Sequence, residues 1–145
     1  MNSGLRQINV PGVDPAGSPY APAIVAGDLV FVSGQVALDG GGQVVGPGDL
    51  TTQVTYVFDR IRDLLGAAGS ELDDVASCTV FLTRAEDFAA FNRCWTSEFG
   101  RHRPTRVTVV AHLLVPGLLV EIQAIAVRAS GHEGPTDDGR NVDVA

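Results

Sequence analysis

Apolar residues recur at Val54, Val57, Phe58, Ile61, Leu64, Leu65 and Ala68, the i, i+3, i+4, i+7 spacing of one helix face. The spacing predicts a helix from Leu50 to Ala68, capped by Asp49 and ended by Gly69. A second helical face is carried by Phe88, Phe91, Cys94 or Trp95, and Phe99. It follows Thr83-Arg84-Ala85-Glu86, which matches a capping box, so the second helix is expected to start there and to break at Gly100 to Pro104. The remaining apolar runs are short and rich in β-branched residues. Ile24-Val25 and Leu29 to Ser33 predict a hairpin turning at Ala26-Gly27-Asp28, its second strand ending at Ser33-Gly34-Gln35. Asp74 to Leu82, Arg103 to Val110 and Leu119 to Val127 predict three more strands, the last two joined by a turn at Pro116-Gly117. Met1 to Pro22 reads as an extended arm with one short strand. Asp39-Gly40-Gly41-Gly42-Gln43 reads as a loop without regular structure.

The element order is strand, strand, strand, helix, strand, helix, strand, strand. It predicts one α+β domain over residues 1–129, with both helices on one face of a mixed sheet. Residues 130–145 are polar, with Gly, Asp and Pro, and are expected to form a mobile tail. There is no internal repeat. The other face of the sheet, assigned Val30, Val32, Val107 and Val109, is too apolar for solvent, and two helices cannot cover both faces. The expected cover is further copies of the same sheet, facing inward in a homo-oligomer.

The chain has 145 residues and a formal net charge of -7. A surface that acidic repels phosphate backbones and anionic membranes, which argues against nucleic-acid and membrane partners. No apolar run approaches the ~20 residues of a membrane span, and Met1 to Val10 has no apolar signal-peptide core. A cytoplasmic location is expected. Cys78 and Cys94 then read as small core residues. His102, His112 and His132 have no metal-ligand spacing with them, so no metal is expected. His102 lies in Arg101-His102-Arg103, read as a solvated loop.

Two strand segments carry the candidate chemistry. Each sets one charged side chain, Arg106 or Glu121, in an apolar run, which is costly unless the charge is paired, solvated in a cleft or used. If the strands are neighbours, an arginine fork and a carboxylate face one small pocket. The fork binds a substrate carboxylate in a planar, two-bond geometry, and the glutamate can handle water or a proton. The competing explanation is a structural ion pair between adjacent strands.

Five segments, in order, resemble the RidA/YjgF family of imine and enamine deaminases over about Ser18 to Arg128. They are Ser18-Pro19-Tyr20, Val32-Ser33-Gly34-Gln35, Phe88-Ala89-Ala90-Phe91-Asn92, Arg103-Pro104-Thr105-Arg106 and Val120-Glu121-Ile122-Gln123-Ala124-Ile125-Ala126. The resemblance implies a chorismate-mutase-like fold, a homotrimer with a central barrel of three sheets, and sites in clefts between subunits. It implies hydrolysis of 2-aminoacrylate-like enamines or imines to 2-oxo acids and ammonia, without metal or organic cofactor. It also implies roles. Arg106 grips the substrate carboxylate, Glu121 positions water, and Tyr20 is a proton relay. Ser33, Gly34 and Asn92 line the pocket. Thr108 stands where such deaminases often carry cysteine, which alters pocket shape and polarity more than chemistry. Other readings stay open: a pathway-specific enzyme acting on another amino or enamine intermediate, or a non-catalytic trimer that binds a small carboxylate.

Overall fold

The computed structural model describes residues 4–13 and 17–129. The expected tail, 130–145, lies outside the described residues. Six strands form one mixed sheet: β1 (Leu5–Ile8), β2 (Ala23–Ala26), β3 (Leu29–Val36), β4 (Val75–Leu82), β5 (Thr105–Val110) and β6 (Val120–Val127). Their order across the sheet is β1-β2-β3-β6-β4-β5. Helix α1 (Leu50–Ala67) links β3 to β4, and helix α2 (Phe88–Phe99) links β4 to β5. β4 and β5 are parallel, as a helical crossover requires, while β6 is antiparallel to both β3 and β4. The last strand therefore fills the gap that the α1 crossover leaves between β3 and β4. The α+β architecture with two helices on one face of a mixed sheet is as expected.

The predicted face of α1 is the buried one. Val54, Val57, Phe58, Ile61, Leu64 and Leu65 are all at most 1% exposed. Each such aliphatic or aromatic side chain contributes about 1.5–3 kcal/mol by transfer from water. Asp49 caps the helix by accepting from the Thr52 amide, and Gly69 adopts a positive φ of 79° just beyond its end. One polar residue sits within this face. Gln53 is fully buried and fully used: its Nε2 donates to the carbonyls of Gly46 and Gly117, and its Oε1 accepts from the Leu119 amide. It ties the loops on either side of the sheet to α1.

Several expectations need correction. Val30 and Val32 face the helices and are buried. The open face is carried instead by Leu29, Phe31, Val107, Val109 and Val127, each 40% exposed or more. An unbroken apolar run has no alternation from which to read its inward side. The second hairpin strand does not end at Ser33-Gly34-Gln35 but runs to Val36, through an irregularity between Val32 and Gln35 where one extra residue enters β3. No capping box forms at Thr83. The Thr83 amide donates to the Leu119 carbonyl, Arg84 makes a two-bond ion pair with Asp87, and α2 starts at Phe88 after a short 3-10 turn. Phe88 is half exposed rather than core.

The glycine loop is ordered. Asp39 Oδ1 accepts from the amides of Gly41 and Gln43, and Leu38 bridges Val44. Nor is His102 solvated: a ring nitrogen lies 2.6 Å from the Val75 carbonyl, and the ring packs edge-on against Phe99. Both cysteines are free. Cys78 is buried, and burial pushes its thiol up to about 12, which leaves it an inert core residue. Among the described residues no helix is long and apolar enough to cross a membrane.

Candidate active site

The expected site residues fall into two groups. The first gathers around Arg106 on β5. Its register partner on β4 is Cys78, whose side chain points toward the helices, so the guanidinium is directed at α2. There Nη2 donates to Asn92 Oδ1 at 2.7 Å. The guanidinium carbon stands 4.8 Å from the Trp95 ring centre, 5.4 Å from Phe91 and 5.8 Å from Phe88. Thr108, two residues along β5 and paired with Val80, lies on the same side. Burial pulls the guanidinium pKa down, with the Cys78 sulfur acting in the opposite sense. Among the described residues no carboxylate pairs with Arg106, so aromatic faces and one amide oxygen are its surroundings. A cation set against rings, with most of its donors free, is a ready receptor for a carboxylate.

The second group gathers where β3 departs from regular pairing. Glu121 on β6 is opposite Val36 on one side and Phe81 on the other. Its carboxylate rests directly over Gly34, which has no side chain to displace it. The carboxylate is half-buried, with no hydrogen-bond or ion-pair partner among the described residues, and burial raises its pKa. The Ser33 hydroxyl donates to the Ala21 carbonyl at 2.6 Å, and the Ser33 amide donates to the Pro22 carbonyl. Within the chain, Ser33 pins the arm that presents Tyr20. Tyr20 is 62% exposed. Together with Gly34, Val36, Leu38, Asp39 and Arg60 it borders a cavity of about 380 Å³.

The two groups do not meet within one chain. β4 lies between β5 and β6, so the Arg106 and Glu121 strands are not neighbours. The two side chains also leave opposite faces of the sheet. Cys78 is in register with both Arg106 and Ala124, whereas Glu121 is in register with Phe81, an odd number of residues farther along β4. The reading of one pocket, which depended on the two strands being neighbours, therefore does not hold within one chain, and neither does a structural ion pair between Arg106 and Glu121.

Two features went unrecognised in the sequence, an aromatic pair and an arginine. Trp95 and Phe91 were assigned to the core by spacing, yet they also border Arg106. The available signal was an aromatic set at 88, 91 and 95 on the helix that precedes the arginine strand. Arg60 is the other. It donates to the carbonyls of Leu38 and Val13 and to the Tyr56 hydroxyl, so it locks the arm to the end of β3. Nothing in its i, i+4 position beside Tyr56 marked it. No group of three or more His, Cys, Asp or Glu side chains among the described residues is placed to hold a metal ion.

Comparison with known proteins gives a consistent answer. Residues 12–128 match the family model described as Endoribonuclease L-PSP. A RutC family protein of Pyrococcus horikoshii is 38% identical over 110 residues, covering 76% of this chain and 87% of the relative. The 3-aminoacrylate deaminase RutC of Acinetobacter baylyi is 36% identical over 122 residues, covering 83% and 97%. Among solved structures, E. coli TdcF with bound serine superimposes with a TM-score of 0.76 at 30% identity, covering 86% of this chain and 99% of TdcF. The five sequence segments, the strand order and these likenesses agree, and the chain belongs to the RidA/YjgF family, the family described as Endoribonuclease L-PSP.

Proposed function

We propose that the protein is an enamine/imine deaminase that hydrolyses small 2-aminoacrylate-like acids to 2-oxo acids and ammonia, and that it works as a homotrimer. The carrying observation is that Arg106 and Glu121 each lack an ion-pair partner among the described residues, Arg106 set against the α2 rings and Asn92 and Glu121 over Gly34, on opposite faces of one sheet. A chain closed on itself cannot use them together. A ring of chains can, with the Arg106 group of one copy meeting the Glu121 group of the next. The apolar open face, with Leu29, Phe31, Val107 and Val109, supplies a surface for such a ring.

The chemistry follows from the groups available. The Arg106 fork holds the substrate carboxylate beside Asn92 and Thr108. An enamine substrate gains a proton on its terminal carbon and becomes the iminium, with Tyr20 as the proton relay. Glu121 orients a water against the iminium carbon and takes its proton as the C–O bond forms. The carbinolamine then releases ammonia as the C–N bond breaks, leaving the 2-oxo acid. A half-buried carboxylate with a raised pKa suits this alternation between proton acceptor and donor. The scheme calls for no metal and no organic cofactor. A cytoplasmic location fits enamine substrates, which decay rapidly in water and must be met where they arise.

A pathway-specific variant of the same reaction is favoured by one observation, the 36% identity across 97% of a relative named as a 3-aminoacrylate deaminase. Its substrate class is also a small enamine carboxylate. A nucleic-acid substrate, which the family description suggests, runs against the net charge of -7.

Complementation tests the shared site. Arg106→Ala and Glu121→Ala chains, each inactive alone on 2-aminoacrylate generated in place, are mixed after denaturation and refolded together. A site built from two chains recovers about a quarter of wild-type activity at equal mixing, because three quarters of the trimers are mixed and each of these holds one intact site in three. No recovery, with mixed trimers seen by native mass spectrometry, refutes the shared site.

A further inference from the structure

The Arg106 guanidinium is surrounded by aromatic rings and one amide oxygen. Trp95, Phe91 and Phe88 bring ring faces or edges within 4.8–5.8 Å of its central carbon. Asn92 Oδ1 takes one hydrogen bond from Nη2. Arginine carries five N–H donors, all in the guanidinium plane. The donors not taken by Asn92 have no partner among the described residues, so the rim is left for a ligand. Among the described residues no carboxylate sets the plane of the fork. Aromatic contact and one amide oxygen have to do so.

Of the three rings, Trp95 is nearest to the guanidinium, and it makes the most contacts with other rings. It meets Phe99 at 4.6 Å, Phe91 at 5.8 Å and the fully buried Phe58 at 6.0 Å. A line of aromatic contact thus runs from the α1 core, through Trp95, to the cation on the edge strand. Phe88 is half exposed and 5.8 Å away, which makes it a weaker restraint.

We propose that Trp95 is a positioning residue for carboxylate capture: its indole sets the plane of the Arg106 guanidinium and so presents the two-bond fork edge-on to the substrate. This rests on the reading of Arg106 as the carboxylate anchor. The indole touches no reacting atom, so it governs binding and not the hydrolytic step. A π surface is the property required, and another aromatic residue at 95 supplies most of it.

Trp95 is the only tryptophan in the chain, so its fluorescence reports on the cation beside it. Titration of the wild-type protein with propionate is expected to change Trp95 emission saturably, while propionamide, of the same shape without the charge, changes nothing. Arg106→Lys is expected to shift the propionate response to at least about tenfold higher concentration. In the imine assay, Trp95→Leu is expected to raise KM about tenfold with kcat within threefold, and Trp95→Phe to restore KM to within about threefold of wild type. Propionate affinity of both variants is measured by calorimetry, with circular dichroism and native mass as controls for folding and assembly. Should Trp95→Leu misfold, Trp95→Phe and the wild-type titration carry the test alone.

The proposal is overturned if propionate leaves wild-type emission unchanged, if folded Trp95→Leu keeps a normal KM, or if Trp95→Phe binds propionate as poorly as Trp95→Leu. Failure of the deaminase reading is a separate result. It leaves imine turnover absent in the wild type while the propionate response and its shift in Arg106→Lys still decide the role of the indole.

Discussion

The Glu121 carboxylate occupies the space in which a side chain on Gly34 would begin. A methyl group there would stand 3.0 Å from Glu121 Cδ and 3.2 Å from Cγ, and closer still to Oε1. Gly34 has no positive φ, so its backbone does not demand glycine; the close approach of the carboxylate does. The extra residue in β3 and the bare position beside it form one device that seats an acid on the open face of the sheet.

Gly34→Ala is therefore expected to fold and assemble while losing function. The atom in the way is the far end of a flexible side chain, so Glu121 swings aside at little cost. Water positioning is lost with it, and turnover falls on the order of 10²-fold. Steady-state kinetics beside a melting curve checks both halves of the statement. Normal turnover in a protein of normal stability would show that the seat of Glu121 is irrelevant to catalysis.

Glu121→Gln tests the acid itself, and its pH dependence has a definite sign. Burial raises the Glu121 pKa in the folded chain above its ordinary value of 4.5. Across the window from that value up to the folded pKa, the folded state holds more protons than the unfolded state, and stability falls as pH rises. The glutamine variant lacks this penalty. It is expected to melt slightly higher than wild type at neutral pH, with the gap closing toward pH 4, and to turn over on the order of 10²-fold more slowly. Propionate binding should persist. Intact turnover with a lowered melting temperature would assign Glu121 to structure.

Arg106→Lys keeps the charge and loses the planar fork. Activity on carboxylate substrates is expected to fall by at least about tenfold, chiefly through KM, with partial recovery at high substrate concentration. Kinetics within twofold of wild type would remove Arg106 as the anchor.

The helices and the sheet were legible from the chain; the meeting of the site residues was not. The α1 face could be read because Val54 to Leu65 repeats for about three turns, and repetition averages out local exceptions. The capping-box expectation failed because Arg84 finds Asp87, a charged two-bond pair that outcompetes a threonine cap for the same turn. The adjacency of the Arg106 and Glu121 strands failed for a topological reason. A short link between two strands suggests a hairpin, but β6 enters an interior slot that was opened far upstream by the α1 crossover. Local sequence carries no record of a vacancy elsewhere in the sheet. The faces of Val30 and Val32 were misassigned because Leu29-Val30-Phe31-Val32 offers apolar side chains to both sides.

The open face makes a prediction about assembly. Val109 is 40% exposed there, in register with Phe81. Wild-type protein is expected at about three times the chain mass in light scattering. Val109→Asp puts a charge into the proposed ring interface and is expected to give folded, soluble single chains without deaminase activity. A stable wild-type monomer, or an active monomeric variant, would contradict a site shared between chains.

β5 has a further property. It pairs on one side only, with β4, and its outer edge carries unpaired amides and carbonyls. Its sequence, Thr-Arg-Val-Thr-Val-Val, contains no proline and holds one charge in six residues, while Val107 and Val110 are each 58% exposed. Short β-prone segments of this kind template association with other chains. An isolated subunit is thus an aggregation hazard for as long as that edge is open, and the one charge interrupting it is Arg106. Wild-type chains kept from assembling should therefore self-associate more readily, as their concentration rises, than Val109→Asp chains, whose added charge lies on the same strand, and a substitution that removes the arginine charge should hasten that association. The side chain proposed to capture a substrate would then also serve, during folding, as the gatekeeper of its own strand.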